Sequence, residues 1–166
     1  MIFAVLLAAW FFLRASAHEW PPRGVELPDL RWTIPFSFVL WGSSLPTWYA
    51  ERAIRRGDDA GFRWGMAIAW LLGLAFLGYT AKDFLDLHFG WADSAYGSAF
   101  YVIVGLHALH VIVGLAMSAV VQAKAWRGRY RTGGHVSAEV VTLYWHFVDA
   151  VWLLVMPALF IGTHIR

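Results

Sequence analysis

The sequence predicts an all-α polytopic membrane protein: one transmembrane helical domain, residues 1–166, folded as a bundle of about five spans. Three observations carry this. The chain is 60% hydrophobic and only 14% charged, more apolar surface than a soluble domain of 166 residues can hide. Its apolar runs are long enough for a bilayer, which takes ~20 residues of helix to cross. None of them alternates with period two, as the strands of a membrane barrel would. In lipid such runs must be helical, because only a helix satisfies its own backbone polar groups.

The predicted spans lie at about 1–17, 35–54, 64–87, 97–123 and 138–163. The first has a short apolar run, Met1 to Leu13. Ala15-Ser16-Ala17 resembles a signal-peptidase site, but the run starts at Met1 with no basic segment ahead of it, which argues for a retained helix. Pro46 is expected to kink the second span, and Ser43 and Ser44 to bond back to its backbone. Gly73 in the third span, and Gly105 and Gly114 in the fourth, are expected to allow close helix approach. Asp83 and Asp86 read as solvated charges near the outer end of the third span, and Glu51 with Arg55 as a weak i, i+4 surface pair.

Charge sets the expected topology. Arg52, Arg55, Arg56, Arg63, Lys124, Arg127, Arg129 and Arg131 place eight of the thirteen basic residues in the second and fourth loops. By the positive-inside rule these loops face the cytoplasm, with the N-terminus inside and the C-terminus outside. The basic residues flank apolar runs and form no stripe suited to nucleic acid. With no cysteine, disulfides, thiolate metal sites and thiol catalysis are excluded. Of the eleven tryptophans, Trp20, Trp32, Trp64, Trp91 and Trp126 lie near span ends as interfacial anchors, whereas Trp145 and Trp152, seven apart, share one face of the fifth span.

Ionisable side chains inside apolar helices are costly and need an explanation. The fourth span carries His107 and His110, three apart; the fifth carries His146 and Asp149, also three apart. Three readings are open on the residues themselves. The groups could ligate a haem or metal, form a proton relay, or lock the bundle through interhelical hydrogen bonds of ~1 kcal/mol each. The same choice leaves an accessory membrane subunit, a di-haem cytochrome b and a small proton-linked transporter as rival classes.

Several runs resemble one family. Tyr144-Trp145-His146-Phe147-Val148-Asp149 followed by Val151-Trp152 looks like the signature of cytochrome-oxidase subunit III. Tyr96-Gly97-Ser98, Phe100, Gly105, His107, His110, Val111 and Gly114 resemble that family's next-to-last helix, and Trp20-Pro21-Pro22, Gly24 and Leu27-Pro28 its outer loop. Ser43-Ser44 and Gly57-Asp58 also fit, and His135 and Glu139 keep the family's spacing from His146. The chain departs from the pattern in two places. A buried glutamate of the family would fall at or before Met1, and Thr80 and Asp83 stand where a glutamine and a glutamate are usual.

The resemblance implies a short, five-helix subunit III of a haem-copper terminal oxidase, an enzyme that reduces O2 to water and pumps protons. It implies no catalytic residue, metal or redox cofactor in this chain, with haem and copper held by partner subunits. Subunit I would be the direct partner, with subunit II and small subunits in the same complex, in a bacterial cytoplasmic membrane. The chain would hold phospholipid and sustain proton uptake and turnover stability. Related subunits of quinol oxidases and nitric oxide reductases are the alternatives within the family. The site residues it points to are the intramembrane set His107, His110, His146, Asp149, Glu139 and His135, now read as mainly structural, and the headgroup candidates Lys124, Arg127 and Arg129. Juxtamembrane cations attract anionic headgroups by about 1 kcal/mol each.

Overall fold

The computed structural model describes residues 1–22, 25, 27–130 and 136–164. Helix accounts for 83% of them, and none of them is in a strand. The elements are α1 (Ile2–Ser16), α2 (Leu30–Gly42), α3 (Ser44–Arg55), α4 (Asp59–Asp86), α5 (Ala95–Trp126) and α6 (Val136–Met156), a π-helical turn (Pro157–Ile161) and a final turn α7 (Gly162–His164). Side-chain caps start three of them. Asp29 accepts from Arg31 N–H, Asp58 from Gly61 N–H and Ser94 from Gly97 N–H, each satisfying a free donor of the first turn.

Three helical stretches are long and apolar enough to cross a membrane: α4, α5 and the continuous run Val136–His164. The predicted first span is α1, whose fifteen residues rise ~22 Å at 1.5 Å each, less than a ~30 Å hydrocarbon core. It runs against the N-terminal half of α5. Trp10 meets Tyr96 near the start of α5, and Phe3 meets His107 and His110 at its middle.

The predicted second span is two helices, α2 and α3, meeting at Ser43. The helix breaks where a kink is expected, and the position of the break follows from Pro46. That residue has no N–H for the carbonyl four residues back, at Gly42, and its ring crowds that carbonyl. The helix therefore breaks just before it, leaving Pro46 in the first turn of α3, where proline is tolerated. Pro157 acts similarly in the last span. It interrupts the α pattern, and the next turn closes from Gly162 N–H to Pro157 O, five residues back.

Close approach depends on individual glycines. A Cβ on Gly73 would lie 2.5 Å from Trp145 Cη2, and one on Gly114 3.0 Å from the other edge of the same indole, so Trp145 is clamped between α4 and α5. Gly65 brings α4 against α3, where a Cβ would meet Ala50 Cβ and Pro46 O at 2.9 Å. Gly105 does not serve this purpose: a Cβ there would meet nothing within 4 Å, because that side of α5 faces open space.

Candidate functional site: polar side chains between the helices

The fifth predicted span carries most of the polar contacts. Trp145 and Trp152, on one face of α6, each donate an indole N–H to a serine of the kinked span: Trp145 Nε1 to Ser43 Oγ at 2.8 Å and Trp152 Nε1 to Ser37 Oγ at 2.9 Å. All four side chains are buried. Each serine hydroxyl in turn donates to its own helix, Ser37 to Thr33 O and Ser43 to Leu40 O, so both serines are satisfied as donor and acceptor. Sequence reasoning placed the two tryptophans on one face but not their partners. The signal was the spacing of the serines, six apart against the tryptophans' seven on an antiparallel neighbour.

Ser44 departs from the expected bond to its backbone. It starts α3 with its hydroxyl pointing across to α6, donating to Asp149 Oδ2 in a very short contact, with His146 Nδ1 at 3.3 Å. His146 and Asp149 thus meet on one hydroxyl from another helix. Asp149 is buried, and its second oxygen, Oδ1, has no hydrogen-bond partner among the described residues. Glu139 stands at the exposed start of α6, with Oε1 3.5 Å from Arg55 Nη2. The same guanidinium holds Glu51 at 2.8 Å, so the expected surface pair is one half of a three-residue link between α3 and α6.

The two histidines of α5 have different surroundings. His107 is 1% exposed, stacks on Trp152 at 4.6 Å and meets the edges of Phe3 and Phe76; neither ring nitrogen has a hydrogen-bond partner among the described residues. His110 is half-buried and bonds through Nδ1 to Leu106 O at 2.7 Å. Tyr144 reaches the carbonyl of His110 at 3.1 Å, joining the signature run of α6 to α5. No group of three or more His, Asp or Glu side chains among the described residues is arranged to hold a metal ion.

The C-terminal end of α4 differs from expectation. Asp83 is not simply solvated: it is half-buried and accepts from Tyr79 OH at 3.3 Å, because Tyr79 lies one turn back and is itself tied to Thr33 of α2 at 2.9 Å. Asp86 is exposed and paired with Lys82 at 2.8 Å. Thr80 is buried and donates to Phe76 O. Trp20 is no free interfacial anchor either; it packs edge-on against Trp10 at 5.0 Å. Trp64 and Trp126 do sit exposed at the opposite end, ring to ring at 6.1 Å, with Arg63 over Trp126.

Lys124, in the last turn of α5, lines a groove of about 450 Å3 between α5 and α6. The rest of its wall is Ala116, Met117, Val120, Val121, Ser137, Val140 and Val141. Arg127, the residue that caps α5, and Arg129 are exposed just beyond it. Arg131 and His135 lie outside the described residues.

Comparison with known proteins bears on the whole chain. The family model described as "Cytochrome c oxidase subunit III" matches residues 1–163. A protein named cytochrome c oxidase subunit 3 from Thermostichus vulcanus is 33% identical over 98% of this chain and 81% of its own length. A probable cytochrome c oxidase subunit 3 from Nocardia farcinica is 37% identical over 92% of this chain and 77% of its own. The Arabidopsis thaliana relative is 33% identical, and the match spans only 60% of its length. Matched along 163 of its residues, with its long apolar helices in place, this chain belongs to the cytochrome c oxidase subunit III family.

Proposed function

We propose that the chain is a non-catalytic accessory subunit of a haem-copper terminal oxidase. It packs on subunit I, retains phospholipid and sustains proton uptake and turnover stability while its partners reduce O2. The observation that carries this reading is the family match over nearly the whole chain. The bonds of Trp145 to Ser43, Trp152 to Ser37 and Ser44 to Asp149 support it, since they join helix to helix as a lock would. The exposed apolar residues of α2 and α3, among them Phe38, Leu45 and Trp48, offer a broad surface to a membrane partner or lipid. With the basic end of the bundle in the cytoplasm, the C-terminus faces outward.

The decisive experiment purifies the complex from membranes with a tag on this chain and records reduced-minus-oxidised spectra. Haem signals that co-purify with the larger subunits, and are absent when this chain is expressed alone, are the expected result. A Soret band from this chain alone overturns it. Deleting the chain should shorten the operational lifetime of the oxidase more than it lowers initial turnover.

The lipid part of the proposal rests on Lys124. A cation at the mouth of an apolar groove matches a phospholipid in both parts, headgroup on the ammonium and acyl chain along Val120, Val121 and Val140. Arg127 and Arg129 stand close enough in sequence to share the headgroup. Lys124→Gln with Arg127→Gln should lower the anionic phospholipid retained by the purified complex. Equal retention would leave these residues a topological role only.

A further inference from the structure

Two polar stripes run along the contact between α3 and α6. On α6 they are Glu139, Thr142, His146 and Asp149, spaced three, four and three residues apart, which is one helix face. On α3 they are Ser44, Thr47, Glu51 and Arg55, spaced three, four and four. The stripes are joined at both ends, by Arg55 to Glu139 and by Ser44 to His146 and Asp149.

Polar side chains recur turn by turn from the exposed end inward. At the mouth the side chains of Glu51, Arg55 and Glu139 are 25%, 58% and 41% exposed. One turn deeper, Thr47 and Thr142 are buried; their hydroxyls donate to Ser43 O and Glu139 O, which leaves their oxygens free to accept. Deeper still come His146, half-buried, then the Ser44 hydroxyl, then Asp149, whose Oδ1 is buried without a partner among the described residues. A lock alone explains the Ser44 contacts. It does not explain an orphan carboxyl oxygen, a costly thing to leave buried.

We propose that the α3–α6 interface is a proton-access path from the aqueous mouth at Glu51, Arg55 and Glu139 to Asp149. In the terminal step the proton on His146 Nδ1 passes to Ser44 Oγ as the Ser44 hydroxyl proton passes to Asp149 Oδ2. Imidazolium becomes imidazole, carboxylate becomes carboxylic acid, and the hydroxyl is regenerated; the reverse step returns the proton. A helical turn between rungs exceeds one hydrogen bond, so the path requires water along the threonine stretch to recharge His146. The other intramembrane histidines, His107 and His110 on α5, take no part: His107 stacks on Trp152 and His110 bonds to Leu106 O.

The test is hydrogen–deuterium exchange of the Asp149 carboxyl, followed by infrared spectroscopy on the purified complex containing this chain, with the band assigned by its loss in Asp149→Asn. The wild-type band should shift promptly on transfer to D2O. Thr142→Val, which keeps the shape and removes the hydroxyl, and Ser44→Ala should slow exchange about tenfold or more, while Ser44→Thr restores it. Equal rates in wild type, Thr142→Val and Ser44→Ala overturn the path and leave a lock. So does an Asp149 that gives no carboxylic acid band at any pH where the complex is stable. If Ser44→Ala prevents assembly, Glu139→Gln at the exposed mouth decides together with Thr142→Val: slower exchange in both supports the path, and wild-type rates in both end it. The readout does not depend on oxygen reduction, so it stands or falls separately from the oxidase reading.

Discussion

The two buried clusters of the bundle are built from different materials. The larger is aromatic: Phe3, Trp10, Phe76, Phe89, Tyr96, Phe100, Trp145, Trp152 and Phe160 fill the space between α1, α4, α5 and α6. The smaller, at the basic end, is rich in small residues, with Ala50, Ala53, Ala125 and Ala138 around Phe62, Met66 and Tyr130. Lipid is as apolar as a leucine side chain, so neither cluster gains much from escaping water. Helices in membranes associate through packing and hydrogen bonds instead. The aromatic cluster uses rings that also carry N–H donors. The alanine cluster uses backbone proximity, and it leaves room for a polar interface and a lipid-sized groove beside it.

The comparison breaks first at Trp152. Trp152→Ala removes a buried indole, its stack on His107 and its bond to Ser37, and should cost ~3–5 kcal/mol in the thermal or denaturant stability of the subunit. Next come the glycines. Gly73→Ala pushes a methyl into Trp145, and Gly65→Ala pushes one into the backbone of α3; each should cost ~1–3 kcal/mol by the same assay. Gly105→Ala is the control. Its Cβ meets open space, so it should be neutral or stabilising by ~0.5–1 kcal/mol through helix propensity. A double-mutant cycle of Trp152→Phe with Ser37→Ala should return a coupling near ~0.6 kcal/mol, the usual size of a hydrogen bond between membrane helices. Smallest is Arg55→Gln at the basic end: both carboxylate contacts are exposed, so the loss should stay under ~1 kcal/mol and shrink with added salt. A large loss there would mean that the small-residue end depends on charge rather than proximity.

How much of this was legible in the sequence follows from what each feature depends on. The spans α4, α5 and α6 were readable because their apolar runs exceed a bilayer's thickness. The break at Ser43 was half-readable: Pro46 announced a kink, and its position follows once the missing bond to Gly42 is counted. The partners of Trp145, Trp152, His146 and Asp149 were not readable. They depend on how α6 is rotated about its axis relative to α2 and α3, and a stripe seven residues apart fixes a face without naming what it meets. Asp83 was misjudged because its cover, Tyr79 one turn back on α4, is held in place by Thr33 from another helix. Gly105 was misjudged because a glycine shows where close approach is possible, not where it occurs.

The π-helical turn after Pro157 has a consequence for the numbering of faces. An α-helix advances ~100° per residue, so one wide turn that takes up an extra residue rotates everything beyond it by about that angle. The stripe that brings Trp145 and Trp152 inward reaches Leu159, seven residues on and inside the turn, and its phase changes only past Ile161. Leu159 and Phe160 are buried within the turn, and Thr163 is the buried residue beyond it. Removing Ala158 would be more than a shortening. It would turn the residues that follow by about 100°, like a screw thread advanced by one notch, and carry Thr163 off the face it now buries.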